Sequence, residues 1–178
     1  MVTADEIRPF RQAATDYEET EAIKAVLLAR RQDEEQLYLT GEDFDRIAHW
    51  KLRTQYGRVR DLLKENTRET IESTTRLALS VIAVASEEEL RYRVGVLTTL
   101  RGVGTGVASA ILALAYPEKY CVIDFRGWRQ VFDEDRRSFT LNDYQRYLGE
   151  IVNLSMELGW PPQEVDLAIW AFDSIHNP

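Results

Sequence analysis

Cysteine is nearly absent. Cys121 is the single one in 178 residues, so the chain can hold neither an internal disulfide nor a four-cysteine iron–sulfur cluster. Histidine is almost as scarce: His49 and His176 lie far apart and without cysteine companions, which gives no zinc signature. Long apolar runs are missing, since the longest falls well short of the ~20 residues a membrane span needs. The opening Met-Val-Thr-Ala-Asp-Glu lacks the basic-then-apolar order of a signal peptide. The expectation is a cytoplasmic protein with no membrane partner. No internal repeat, low-complexity tract or long linker divides the chain into independent domains.

Positive charge is in short supply as well. With 22 Lys and Arg against 30 Asp and Glu the net charge is −8, which counts against a partner as anionic as nucleic acid. The distribution changes that reading. Acidic residues crowd into 16–21, 33–35, 87–89 and 133–135, while Arg46 to Arg60 holds Arg46, Lys51, Arg53, Arg58 and Arg60 with no acidic residue between them. One face can be basic while the whole is acidic.

What the chain has in quantity is helix signal. With 44% apolar residues it can bury a core. Helix starts recur as an N-cap residue with an acid three positions later: Thr3 with Glu6, Thr40 with Asp43, Asn66 with Glu69, Ser86 with Glu89, and Thr140 with Asp143. Helical spacing follows in Ile7-Phe10-Ala14-Tyr17, Ile71-Thr75-Ala78-Ile82, Leu90-Val94-Leu97 and Tyr144-Tyr147-Leu148-Ile151. Gly159-Trp-Pro-Pro162 closes one helix and puts Pro162 at the first position of the last, predicted to run to about Asp173. Tyr120 to Ile123 has no partner strand in sight and reads as an extended crossover. The fold class is all-α.

One stretch changes character at its middle. Leu97-Thr-Thr-Leu100-Arg-Gly102-Val103-Gly104-Thr-Gly106-Val107-Ala108 carries a glycine at every second position and resumes helical spacing at Val107, Ala108, Ile111 and Leu112. Such a turn lets backbone reach positive φ and leaves the N–H groups of the next helix open to a phosphate oxygen. Further on, Tyr120-Cys-Val-Ile-Asp124 ends an apolar run in a carboxylate. Asp124 is expected to cap the helix Phe125 to Phe132, where the positive end of the helix dipole favours a negative charge.

These residues resemble the helix-hairpin-helix DNA glycosylase superfamily, which includes endonuclease III, adenine glycosylases and 8-oxoguanine glycosylases. The resemblance covers about residues 90 to 132, and more weakly the helical run from Phe44 onward. It implies a two-lobed, all-α, glycosylase-like fold, with 36–116 forming a helical barrel that ends in the hairpin and 1–35 packing with 117–178 as a second, discontinuous lobe. Asp124, eighteen positions after Gly106, matches the family's catalytic carboxylate. The family's DNA-binding hairpin maps onto Gly102, Gly104, Gly106 and Val107, with Arg58 and Arg60 adding positive charge. Its monovalent cation, Na+ or K+, would sit on the carbonyls of Thr98, Leu100 and Val103; no other cofactor is required. In members that also cut the strand, a hairpin lysine attacks the sugar, and here that position is Gly106.

The implied activity is monofunctional: hydrolysis of the N-glycosidic bond of a flipped damaged or modified base in double-stranded DNA by a monomer, leaving an abasic site. A fixed carboxylate there would stabilise oxocarbenium-like charge on the sugar. Trp50, Lys51, Arg53 and Gln55, with their interleaved aromatic, basic and amide groups, are candidates for the base pocket, together with Arg126 and Trp128 near Asp124. Trp160 and Trp170 read as core. The competing reading is a non-catalytic helix-hairpin-helix module that binds DNA or protein, with Asp124 only a cap.

Overall fold

Thr140 shows how the chain starts its helices. Its hydroxyl accepts the backbone N–H of Asp143, whose carboxylate accepts the N–H of Thr140 in return, which satisfies two otherwise orphaned donors at the start of α9 (Leu141–Leu158). The same reciprocal box stands at Thr3 for α1 (Ala4–Ile7) and at Thr40 for α3 (Gly41–Leu52). The structure, a computed structural model, describes residues 2–33, 36–81 and 86–177. The described residues fold as α-helices and short 3₁₀ turns without strands, adding α2 (Tyr17–Asp33), α4 (Tyr56–Leu63), α5 (Arg68–Ser80), α6 (Ser86–Leu97), α7 (Thr105–Ala115), α8 (Phe125–Phe132) and α10 (Pro162–His176).

Helix α7 is the axis of the packing. Every residue from Val107 to Ala115 is buried, and all but Ser109 are apolar, so the helix is covered all round. Its alanines, 108, 110, 113 and 115, keep it thin enough for α2, α3, α6 and α9 all to pack against it. Fully buried Ile111 and Leu112 each contribute about 1.5–3 kcal/mol by leaving water. A continuous apolar core joins the ends of the chain as well: Val2 donates its N–H to Gln130, Arg11 pairs with Glu164, and α10 packs on α8 and α9.

Four sequence-based expectations shift. Asn66 does not cap α5. Thr67 does, because the Asn66 amide is committed to the hairpin: it donates to the carbonyls of Leu63 and Arg101 and accepts the Arg101 N–H. Ser86 is the first residue of α6, and Glu89 is buried in a cluster with Arg93, Lys119 and Tyr120 instead of closing a capping box. The helix expected through Ile7, Phe10, Ala14 and Tyr17 is broken, since Pro9 sits in a 3₁₀ turn, Arg8–Phe10, and Gln12 takes φ 113° before α2 starts. Of the three hairpin glycines only Gly102 needs its left-handed backbone, at φ 78° and with Leu63 against it. Ile82 and Glu34–Glu35 lie outside the described residues.

Candidate functional site

The crossover of residues 120–123 is buried and has no strand neighbour, so side chains must satisfy its backbone. They do: Asp166 accepts the Val122 N–H, Ser109 accepts the Ile123 N–H, Tyr144 donates to the Cys121 carbonyl, and Lys51 Nζ donates to the Ile123 carbonyl at 2.8 Å. This lattice fixes the backbone leading into Asp124. There the chain takes an extended φ of −153° and ψ of 157°, and α8 begins. Asp124 Oδ1 caps that helix by accepting the Arg126 N–H at 2.8 Å, which leaves Oδ2 turned to the cleft. Capping uses one oxygen and leaves the other for chemistry.

Oδ2 is 3.4 Å from Lys51 Nζ, and the lysine side chain is 10% exposed. Lys51 comes from α3, far from the hairpin in sequence, yet its Cε lies 3.6 Å from where a β-carbon on Gly106 would stand. The Lys51 side chain thus passes within van der Waals contact of the place a β-carbon at 106 would hold, and its amine reaches on to Asp124. The sequence places a glycine at the position of the family's imine-forming lysine; the fold brings the Lys51 amine beside Asp124 from α3.

Above this pair opens a cleft of about 710 Å³ lined by Lys51, Arg53, Asp124, Arg126, Arg137 and the hairpin residues 104–106. The hairpin contributes the start of α7. Its N-cap is Gly104, which has no side chain to cap with, so the first-turn N–H groups of Thr105, Gly106 and Val107 have no side-chain partner at the cap. A β-carbon on Gly104 would meet nothing within 4 Å. Backbone donors with a dipole behind them and a carboxylate oxygen paired only with Lys51 thus open on the same cleft.

Behind Arg53 a second cavity of about 30 Å³ is walled by Asp16, Trp50, Lys51, Asp124, Asp166 and Trp170. The Arg53 guanidinium lies 4.3 Å from the centre of the Trp170 ring and donates to Asp16 Oδ2 at 2.5 Å. Asp166 forms the floor, accepting the Tyr147 hydroxyl at 2.7 Å as well as the Val122 N–H. Burial pushes the Asp166 carboxyl up to about 7, and the nearby Asp124 charge pushes the same way, against the lowering effect of Tyr147, Lys51 and Val122.

The structure sorts the sequence candidates. It brings Asp124, Lys51, Arg53, Gln55, Arg126, Gly104 and Gly106 to the open cleft, and Trp50 to the small cavity, 9% exposed with its indole N–H on Thr20. Arg126 reaches the cleft wall while bound to Asp173, a fully buried carboxylate that also takes Arg129 and Gln130. Burial alone would raise the Asp173 carboxyl, yet these donors hold it below the usual range. Trp128 is a correction. It is fully buried among Phe132, Phe139 and Tyr147 and lines neither of these two cavities, because Asp124 sits before the helix in extended backbone and its side chain does not share the helical phase of 128. Arg58 and Arg60 are exposed on α4, outside the cleft lining. Gly102 and Val107 support the hairpin from inside, and the Leu100 carbonyl accepts the Val103 N–H at 3.1 Å.

Sequence reasoning missed Asp16, Asp166 and Trp170. Asp16 stood in an acidic run and Asp166 in an apolar helix; Trp170, read as core, lines both cavities. Cys121 is fully buried, and burial pushes its thiol well up, which makes it a packing residue. Comparison with protein-family models, with curated proteins and with solved structures finds no match to this chain.

Proposed function

We propose that this protein is a DNA glycosylase: it binds double-stranded DNA through the α7 hairpin and releases a flipped, damaged or modified base with Asp124. The observation that carries this reading is the shared cleft, in which the uncapped start of α7 and Asp124 Oδ2 face one space. A phosphate oxygen at Thr105 to Val107 would hold the strand while the carboxylate stabilises charge that develops on the sugar. In this reading 36–116 and 1–35 with 117–178 are the two lobes. Lys51 holds Asp124 in place through its ion pair and its bond to Ile123. The hairpin carbonyls of Thr98, Leu100 and Val103 offer the hard oxygen ligands that a monovalent cation prefers.

The test is release of base from duplexes that carry single lesions, followed by alkali to cut at abasic sites. Asp124→Asn keeps the cap and removes the charge, so turnover is expected to fall by a factor on the order of 10² to 10⁴ with DNA affinity preserved. Full-rate release by this variant, or DNA binding by wild type with no release on any lesion, would overturn the reading; the latter result is that of a binding module.

One observation favours a second product. The Lys51 amine stands 3.4 Å from Asp124 Oδ2, and its side chain passes 3.6 Å from where a β-carbon on Gly106 would stand, the position that corresponds to the family's strand-cutting lysine. Borohydride present during turnover separates the two: a trapped protein–DNA adduct lost in Lys51→Gln gives strand cleavage through an imine, and its absence gives hydrolysis alone.

A further inference from the structure

The Arg53 guanidinium is a flat donor group set between an aromatic ring and a carboxylate. It lies 4.3 Å from the centre of the Trp170 ring, donates one hydrogen bond to Asp16 Oδ2, and lines both the 30 Å³ cavity and the 710 Å³ cleft. Its side chain is 43% exposed, so it can leave towards solvent, whereas that of Asp16 is 12% exposed and stays. The contact is also incomplete. Asp16 Oδ1 is buried and, among the described residues, has no hydrogen-bond partner; nor does the carboxylate cap its own helix α2. A buried orphan acceptor costs about 1–3 kcal/mol and calls for an explanation.

We infer that Asp16 and Trp170 form the base-recognition site and that the base they take is of the guanine type, with Arg53 holding the site closed until the base displaces it. The inference rests on the proposed base-excision reading and names the substrate class of that site. Its chemistry follows from the edge each base presents. Guanine places a ring N–H and an exocyclic amine side by side, two parallel donors that match both oxygens of a carboxylate as the guanidinium fork does. Adenine and cytosine put a ring acceptor beside their amine, and that acceptor would face the Asp16 charge. Thymine and uracil flank their one N–H with carbonyl oxygens, which would do the same. Only the guanine edge pairs Oδ2 and Oδ1 together, while its ring stacks on Trp170 in place of Arg53. Lesions at the other edge of the ring, at positions 7 and 8, leave these donors intact.

Nucleoside binding to the intact protein, measured by calorimetry, tests the recognition apart from catalysis. 2′-Deoxyguanosine is expected to bind at least tenfold more tightly than deoxyadenosine, deoxycytidine or thymidine. Deoxyinosine, which keeps the ring N–H and lacks the amine, should fall about tenfold below deoxyguanosine. Arg53→Ala should tighten deoxyguanosine binding by opening the site, and Asp16→Asn should abolish the preference while circular dichroism stays that of wild type. Equal binding of all the nucleosides, or a preference unchanged in a folded Asp16→Asn protein, would overturn the inference. In duplexes the same order should appear, with 7-methylguanine or 8-oxoguanine released faster than uracil, hypoxanthine or 3-methyladenine. Release of uracil or 3-methyladenine without release of any guanine lesion would sink the inference and leave the glycosylase reading standing. Selective deoxyguanosine binding without release of any base would do the reverse.

Discussion

At the scale of the residue, Asp166 shows what the site costs the fold. It lies fully inside the protein within reach of the Asp124 charge, and burial holds its carboxyl near 7, against an ordinary value of 3.8. The native state therefore keeps the proton across a range in which the unfolded chain has lost it. With more protons bound by the folded form, stability falls as pH rises from about 4 to about 7. Asp166→Asn keeps an acceptor for Val122 and offers a donor to Tyr147 without a titrating group. At pH 8 it should be more stable than wild type by about 2–4 kcal/mol, and the gap should close towards pH 4. Thermal melts of both proteins across that range provide the measurement; a gap that ignores pH would refute the burial argument. None of this was legible in the sequence, where Asp166 is one carboxylate among thirty acidic residues. A buried acid announces itself only through its neighbours, and these come from two separate parts of the chain, Tyr147 from α9 and Val122 with Asp124 from the crossover. Asp124 itself was legible because a cap is local: the extended residue, the helix and the N–H it accepts lie within three positions.

Elements were easier to read than the contacts between them. Capping boxes and the Gly159 and Pro162 punctuation are local chemistry, and they mark the starts of α1, α3, α9 and α10 and the end of α9 as the structure has them. The union of α8 with α9 and α10 is not local, and it depends on one glycine. Gly127, in the turn after Asp124, faces Tyr147: a β-carbon there would sit 3.0 Å from Tyr147 Cζ and closer still to its oxygen, with Asp166 Oδ1 at 3.5 Å. The Tyr147–Asp166 pair thus fills the room that a side chain would need, and it sets how deeply the start of α8 is seated. Gly127→Ala should destabilise the protein by about 1–3 kcal/mol or more, despite the higher helix propensity of alanine. It should also reduce base release, since Asp124 moves with the helix. Adding Tyr147→Phe removes the colliding oxygen and should restore part of the lost stability, which denaturant titration of the single and double variants would reveal. Strict additivity of the two changes would show that they do not meet.

On the whole-molecule scale the difficulty is charge. On the proposed reading a protein of net charge −8 has to hold a polyanion, and the cleft offers a local answer: Lys51, Arg53, Arg126 and Arg137 line it against the single carboxylate Asp124. Three of these cations are already engaged, Lys51 with Asp124, Arg53 with Asp16 and Arg126 with Asp173. Arg137 is exposed, lies 5.4 Å from the Phe125 ring at the cleft edge, and has no carboxylate within ion-pair distance among the described residues. It is the cation most available to a phosphate. Each phosphate neutralised contributes about −0.9 to the slope of log affinity against log salt. With one free cation, two or three that exchange partners, and uncharged N–H donors at α7, a slope of about −2 to −4 is expected. That is shallow for a DNA-binding protein, because backbone N–H groups release no counterions. Anisotropy of a labelled duplex between 50 and 300 mM salt, roughly the range over which such slopes are read, would measure it. Arg137→Ala should flatten the slope by about 1 and weaken binding alike for every sequence, whereas Arg58→Ala and Arg60→Ala, outside the cleft, should leave it unchanged. If the α4 variants flatten the slope and Arg137→Ala does not, the DNA lies across α4 and the cleft is not where the duplex is held.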